Sequence, residues 1–127
     1  MRFFFGKSQR IVREQAFKAM LARKCFVCNW MLRLYAAPNE QEGPRFGVSI
    51  GRKCGNAVHR NRLKRLARQA FRLNQHDLPP GRDYLLIITA GKPINKERAT
   101  PLADYKTFEV QFLEMVRALS KRPRFDL

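Results

Sequence analysis

Apolar positions recur at helical spacing between Gly55 and Arg72. At about 100° per residue, Leu63, Leu66, Ala67, Ala70 and Phe71 share one side of a helix. Arg60, Asn61, Lys64, Arg65, Arg68 and Arg72 share the other, with Arg62 at the border. The pattern predicts a helix that ends near Asn74 or Gln75, before Pro79-Pro80-Gly81 breaks the chain. A first helix is predicted over Ser8 to Lys24, with Ile11, Phe17, Met20 and Leu21 on one face. A last helix carries Tyr105, Phe108, Phe112, Val116 and Leu119 as its apolar stripe. Thr100 is placed to cap it and Pro101 to occupy its first position.

Three stretches predict strands. Cys25 to Tyr35 alternates, with Phe26, Cys28, Trp30, Leu32 and Leu34 expected toward the core. Cys25, Val27, Asn29, Met31, Arg33 and Tyr35 then form the opposite face. That mixed face is either half-solvated sheet or a surface where Asn, Arg and Tyr stack and bond a nucleotide. Ala36 to Pro44 has the composition of a hairpin connection into a second strand, Arg45 to Gly51. Phe46, Val48 and Ile50 are expected inward; Gly47, Ser49 and Gly51 leave a shallow outer face. Tyr84 to Ala90 is a continuous apolar run, as in a strand buried on both faces. No internal repeat or dividing linker is visible, so residues 1–127 are expected to form one domain with an ordered core over about 8–120.

Charge changes the picture from a fold to a partner. Lys and Arg number 26 against 10 Asp and Glu, a formal net charge of +16. Self-repulsion on that scale opposes compactness and points to an anionic partner. No apolar run approaches the roughly 20 residues that cross a bilayer. The start, MRFFFGKSQR, lacks the apolar core and cleavage site of a signal peptide. A cytoplasmic, nucleic-acid-binding protein is therefore expected. The predicted central helix sharpens this expectation, because no acid interrupts its basic side. An ordinary surface helix gains from Glu–Lys pairs one turn apart; here phosphates are the natural counter-charge. Arg52, Lys53 and Asn56 extend the basic stretch into the preceding turn, with Asn56 placed to cap the helix.

Candidate catalytic chemistry is sparse. Cys25 and Cys28 have metal-ligand spacing, but residues three apart in a strand face opposite ways. Cys54, His59 and His76 do not complete a paired set. The few acids are scattered, with no close pair to hold the metals of a nuclease. No catalytic residue and no metal ligand is expected on the protein. The Phe3–Phe5 triplet either packs on the core or offers an exposed stacking patch.

The segment Gly55 to Arg68, GNAVHRNRLKRLAR, resembles the signature of the bacterial ribonuclease P protein subunit. The Arg-Asn-Arg motif is Arg60, Asn61 and Arg62, followed by Lys64, Arg65 and Arg68, and the preceding RFGVSIGRKCGNAV is also similar. The resemblance covers about Ser8 to Ser120. It implies an α/β sandwich: a central mixed sheet of three to four strands, a basic crossover helix of left-handed connection, and helices at both ends. That is the architecture of the second domain of ribosomal protein S5. It implies a subunit of the ribonucleoprotein that removes the 5′ leader of precursor tRNA, in which the RNA is the catalyst and the RNA and substrate hold Mg²⁺. Partners would be that RNA, at 1:1 with a monomeric protein, and precursor tRNA. Arg52, Lys53, Asn56, Arg60, Asn61, Arg62, Lys64, Arg65, Arg68 and Arg72 would contact RNA. Phe17, Arg33, Tyr35, Ser49 and Lys53 would line a cleft for the single-stranded leader. Where the family often has a second aromatic one turn after Phe17, this chain has Leu21, which weakens stacking there or shifts it to Tyr35. The alternative function is that of a structural, ribosomal-type RNA-binding protein without a processing role.

Overall fold

The structure of the chain, a computed structural model, describes residues 14–23, 25–29, 31–39, 43–89 and 105–122. Its elements, in order, are α1 (Glu14–Arg23), β1 (Phe26–Cys28), β2 (Leu32–Pro38), β3 (Arg45–Ile50), α2 (Ala57–Asn74), β4 (Arg82–Ile88) and α3 (Tyr105–Ser120). The strands form one mixed sheet in the order β1-β2-β4-β3. β1 and β2 pair antiparallel, as do β2 and β4, while β3 runs parallel to β4. α2 is thus the crossover of a β3–α2–β4 unit. The Phe triplet, Thr100, Pro101 and the start of the predicted first helix lie outside the described residues.

β4 is central because its apolar run can be buried on both faces: Asp83 to Leu86 and Ile88 are all buried. On one face, α2 and α3 cover Val27, Leu32, Leu34, Ala36, Phe46, Tyr84, Leu86 and Ile88. Phe46 stacks on Phe71 of α2, centroids 4.8 Å apart, and meets Phe112 of α3 edge-on at 6.0 Å. Such pairs add about 1 kcal/mol each beyond their buried area. Met115 joins the α3 stripe predicted from sequence. On the other face, α1 lays Met20 against Tyr35 and Leu85. The α2/α3–sheet sandwich is the main core, and α1 covers part of the sheet's far side.

Two strand expectations are corrected. Cys25 to Tyr35 is not one strand but a hairpin. The Asn29 side-chain oxygen accepts from the amides of Met31 and Leu32, at 2.8 and 2.7 Å, and the Asn29 amide donates to the Leu32 carbonyl at 2.8 Å. This side-chain turn reverses the chain. The turn also shifts the inward phase: Cys25 and Val27 enter the main core, Cys28 is exposed, and Phe26 lies on the opposite face. The segment after β2 is likewise no hairpin connection, since β4 sits between β2 and β3. Asn39 ties that segment to β4: its amide donates to the Gly81 carbonyl and its side chain to Asp83, both at 2.8 Å.

α2 and α3 are also joined by a polar cluster. Asn74 Nδ2 donates to Glu109 Oε2 at 3.0 Å and to the Ala70 carbonyl at 2.8 Å, and the Tyr105 hydroxyl donates to Glu109 Oε2 at 2.6 Å. Burial, then the Glu109 carboxylate, push the Tyr105 hydroxyl above the usual phenol range. The Tyr105 and then the Asn74 hydrogen bonds hold the Glu109 carboxyl below its ordinary value. A depressed carboxylate stabilises the fold above its unfolded pKa and loses that contribution as pH falls through its folded pKa. Wild type is therefore expected to exceed Glu109→Gln in urea-unfolding stability at pH 7. The gap should narrow below about pH 4, near the unfolded carboxyl value; a gap unchanged down to pH 2 would contradict the linkage.

Candidate RNA interface

α2 begins where β3 and β4 end. After Ile50 the chain makes a 3-10 turn, Arg52–Cys54, fastened to β4. The Gly51 amide and the Cys54 thiol both reach the Ile88 carbonyl, at 3.4 and 3.5 Å. Gly55 follows at φ +128°, and a Cβ there would lie 2.8 Å from His59 Cδ2. Only glycine fits both demands. Asn56 caps the helix, its side-chain oxygen accepting from the His59 amide at 2.9 Å. The expected capping role is thus present, with the expected helix end at Asn74.

The apolar side of α2 is as patterned: Leu63, Ala67, Ala70 and Phe71 are buried, and Leu66 is half-buried against the core. On the outer side Asn61, Arg62, Arg65 and Arg68 are exposed, while Lys64 and Arg72 are half-buried. Arg65 and Arg68 make no ion pair among the described residues. Arg60 is displaced from the crest of this face. It is half-buried, and its Nε is enclosed with no hydrogen-bond partner among the described residues. Its helical angle puts it beside Lys64 and Phe71, at the margin of the packing. Arg52 is exposed in the turn before the helix. The side chain of Lys53 lies outside what the structure describes, as does that of Phe17 on α1.

The far side of the sheet holds the remaining candidates. Strand register sets Cys28, Arg33, Ile87 and Ser49 in one row across β1, β2, β4 and β3. Arg33 and Ser49 are exposed and Ile87 half-buried, so this row is an open strip. The next row holds Phe26, Tyr35, Leu85 and Gly47, and there Tyr35, Leu85 and Gly47 are buried. The shallow face expected at Gly47, Ser49 and Gly51 is therefore open at Ser49 and Gly51 only. Tyr35 is 5% exposed, enclosed by Met20, Leu85 and Phe26. As placed, its ring is no stacking platform, contrary to the sequence expectation. α1 lies over this second row through Met20 and leaves the strip of Arg33 and Ser49 exposed, with Ser49 two residues before Gly51 and the turn that precedes α2. Sequence reasoning missed Phe26 here, because the reversal at Asn29 hid its face.

Comparison with known proteins agrees with this architecture. The family model described as Ribonuclease P matches residues 5–109. The ribonuclease P protein component of Exiguobacterium sibiricum is 36% identical over 99 residues, covering 77% of this chain and 84% of the relative. The chain belongs to the ribonuclease P protein family. The component from Brevibacillus brevis is 38% identical over 86 residues, covering 67% of this chain and 68% of that one. Among solved structures, a Staphylococcus aureus RNase P protein mutant with defective mRNA degradation activity aligns with a TM-score of 0.69 at 25% identity. The alignment covers 91% of this chain and 90% of that one. The RNase P protein from Thermotoga maritima aligns with a TM-score of 0.71 at 24% identity, covering 86% and 96%, and shares the fold. The ribonuclease P fold thus accounts for the four-stranded mixed sheet with helices at both ends.

Proposed function

We propose that this chain is the protein subunit of a ribonuclease P that removes 5′ leaders from precursor tRNA, with the chemistry carried by its RNA partner. The observation that carries this reading is α2. It is an 18-residue helix without one acid, with Asn61, Arg62, Arg65 and Arg68 exposed on its outer side. The helix binds the catalytic RNA through Arg60, Asn61, Arg62, Lys64, Arg65, Arg68 and Arg72, joined by Arg52, Lys53 and the Asn56 turn. The open strip along Arg33 and Ser49 takes the single-stranded leader, with Phe17 and Lys53 as further contacts. The protein acts as a monomer, 1:1 with the RNA, in the cytoplasm. No helix among the described residues is long and apolar enough to cross a membrane.

Mg²⁺ is held by the RNA and substrate. Two of the described acids are engaged within the fold, Asp83 with Arg45 and Asn39 and Glu109 with Tyr105 and Asn74, which supports this division of labour. The protein's own contribution is to neutralise phosphates and hold the leader in place. If the helix neutralises about five phosphates, affinity for ribonuclease P RNA should fall with salt at a log–log slope of about −3.5 to −4.5. A filter-binding titration between low and moderate salt measures this slope, and a flat response would remove the electrostatic basis of the reading.

A further inference from the structure

The end of α2 that carries Arg60, Asn61 and Arg62 has little core to hold it. The helix starts at Ala57, but its first buried residue is Leu63. Between them Ala57, Val58, Asn61 and Arg62 are exposed, Val58 by 79%, and only His59 and Arg60 are half-buried. No acid stands in the first turn, and Arg60 sets a positive charge close to the positive end of the helix dipole. A helix end in that condition frays. Two contacts are placed to oppose this. The Asn56 side-chain oxygen accepts from the His59 amide at 2.9 Å. The His59 side chain turns back over Gly55, so closely that a Cβ on Gly55 would lie 2.8 Å from its Cδ2, 3.3 Å from its Cγ and 3.4 Å from its Cβ. The turn before Gly55 is itself tied to β4, through the Gly51 amide and the Cys54 thiol on the Ile88 carbonyl. The imidazole thus links the first turn of the helix to a turn that the sheet holds.

We infer that His59 is a positioning residue for RNA binding: its ring, seated on Gly55, holds the start of α2 helical and so keeps Arg60, Asn61 and Arg62 on the surface that meets RNA. The inference rests on the reading of α2 as the RNA-binding helix and adds to it a residue outside the basic set. His59 acts by packing, so neither a charge nor a hydrogen bond from the imidazole is needed. The turn supplies the seat, because Gly55 alone leaves room for the ring. A first turn that is already formed spares RNA the cost of ordering it, and that cost would otherwise be subtracted from the affinity.

Amide exchange of the free full-length protein by NMR, with filter binding to a bacterial ribonuclease P RNA, tests this. Alanine is a better helix former than histidine. If the ring did nothing, His59→Ala would therefore slow exchange at the Arg60, Asn61 and Arg62 amides. The opposite is expected: exchange there about threefold faster, the loss of a cap-sized contact partly offset by propensity. The amides of Ala67 to Phe71 should be unchanged, which reports that the fold is intact. Affinity for the RNA should fall about twofold, since only the helical fraction binds. His59→Phe should restore both quantities, because a ring returns. His59→Gln should restore neither, although it can hydrogen-bond. Exchange that slows or holds in His59→Ala overturns the inference, and so does faster exchange with unchanged RNA affinity. Affinity rescued by glutamine and not by phenylalanine also overturns it, in favour of a direct contact between the imidazole and RNA. RNA affinity indifferent to Arg65→Ala with Arg68→Ala overturns the reading of α2 and this inference with it; a protein that passes that control and fails the His59 tests overturns the inference alone.

Discussion

Replacing Arg65 and Arg68 together by alanine is expected to weaken binding to ribonuclease P RNA by about 100-fold at moderate salt. Both side chains are exposed on α2 and neither has an ion-pair partner among the described residues, so their charge is uncommitted until RNA arrives. A charge-assisted hydrogen bond to phosphate contributes about 1.5 kcal/mol. Two of them make about 3 kcal/mol, or about two decades in Kd. The salt slope should shrink in parallel by about 1.4 to 1.8, the counterions of two phosphates. Thermal stability should hold or rise slightly, since two mutually repelling cations are gone. Filter binding across a salt series, with a melting curve for each variant, measures all three quantities. Loss of affinity with an unchanged slope would mean that the two residues act by shape and not by charge.

Asp83→Ala is expected to destabilise the fold strongly. Asp83 lies on β4 with its carboxylate buried. It accepts from Arg45 Nε of β3 at 2.7 Å and from Asn39 Nδ2 after β2 at 2.8 Å, and its second oxygen pairs with the Arg45 Nη2 group. Arg45 is held above the ordinary guanidinium pKa by that hydrogen bond. One carboxylate therefore joins three successive parts of the sheet. Removing it leaves a half-buried guanidinium without its counter-charge, which costs about 3 kcal/mol. In a chain of this size that lowers Tm by about 10 °C. Because most of the cost is the stranded charge, Asp83→Ala with Arg45→Met should recover part of the loss. A double variant no more stable than Asp83→Ala would assign the effect to the Asn39 contact instead.

Much of this was legible in the chain itself, and the exceptions share a cause. α2 could be read from Asn56 to Asn74 because periodicity, cap and breaker all agree there. The central strand could be read at Tyr84 to Ile88 because an apolar run of that length is buried on both faces wherever it sits. The β1–β2 hairpin escaped because its turn rests on one side chain, Asn29, inside a run that still alternates. That reversal moved Phe26 to the open face and made Val27 core. The insertion of β4 between β2 and β3 is a long-range pairing that local composition does not encode. At the candidate site, the exposed cations of α2 followed from helical angle. The half-burial of Arg60 was open to the same reasoning, because its angle lies beside Phe71; the enclosure of Tyr35 depends on what packs beside it, and no spacing rule carries that information.

The most direct test of the central claim is cleavage of a precursor tRNA at low Mg²⁺ by the protein alone, by a bacterial ribonuclease P RNA alone, and by the two together. The account predicts that only the mixture releases the 5′ leader at the mature end at an appreciable rate. Protein that adds nothing to a folded, compatible RNA would contradict it in favour of a structural RNA-binding role. Cleavage by the protein alone would contradict the assignment of the chemistry to RNA.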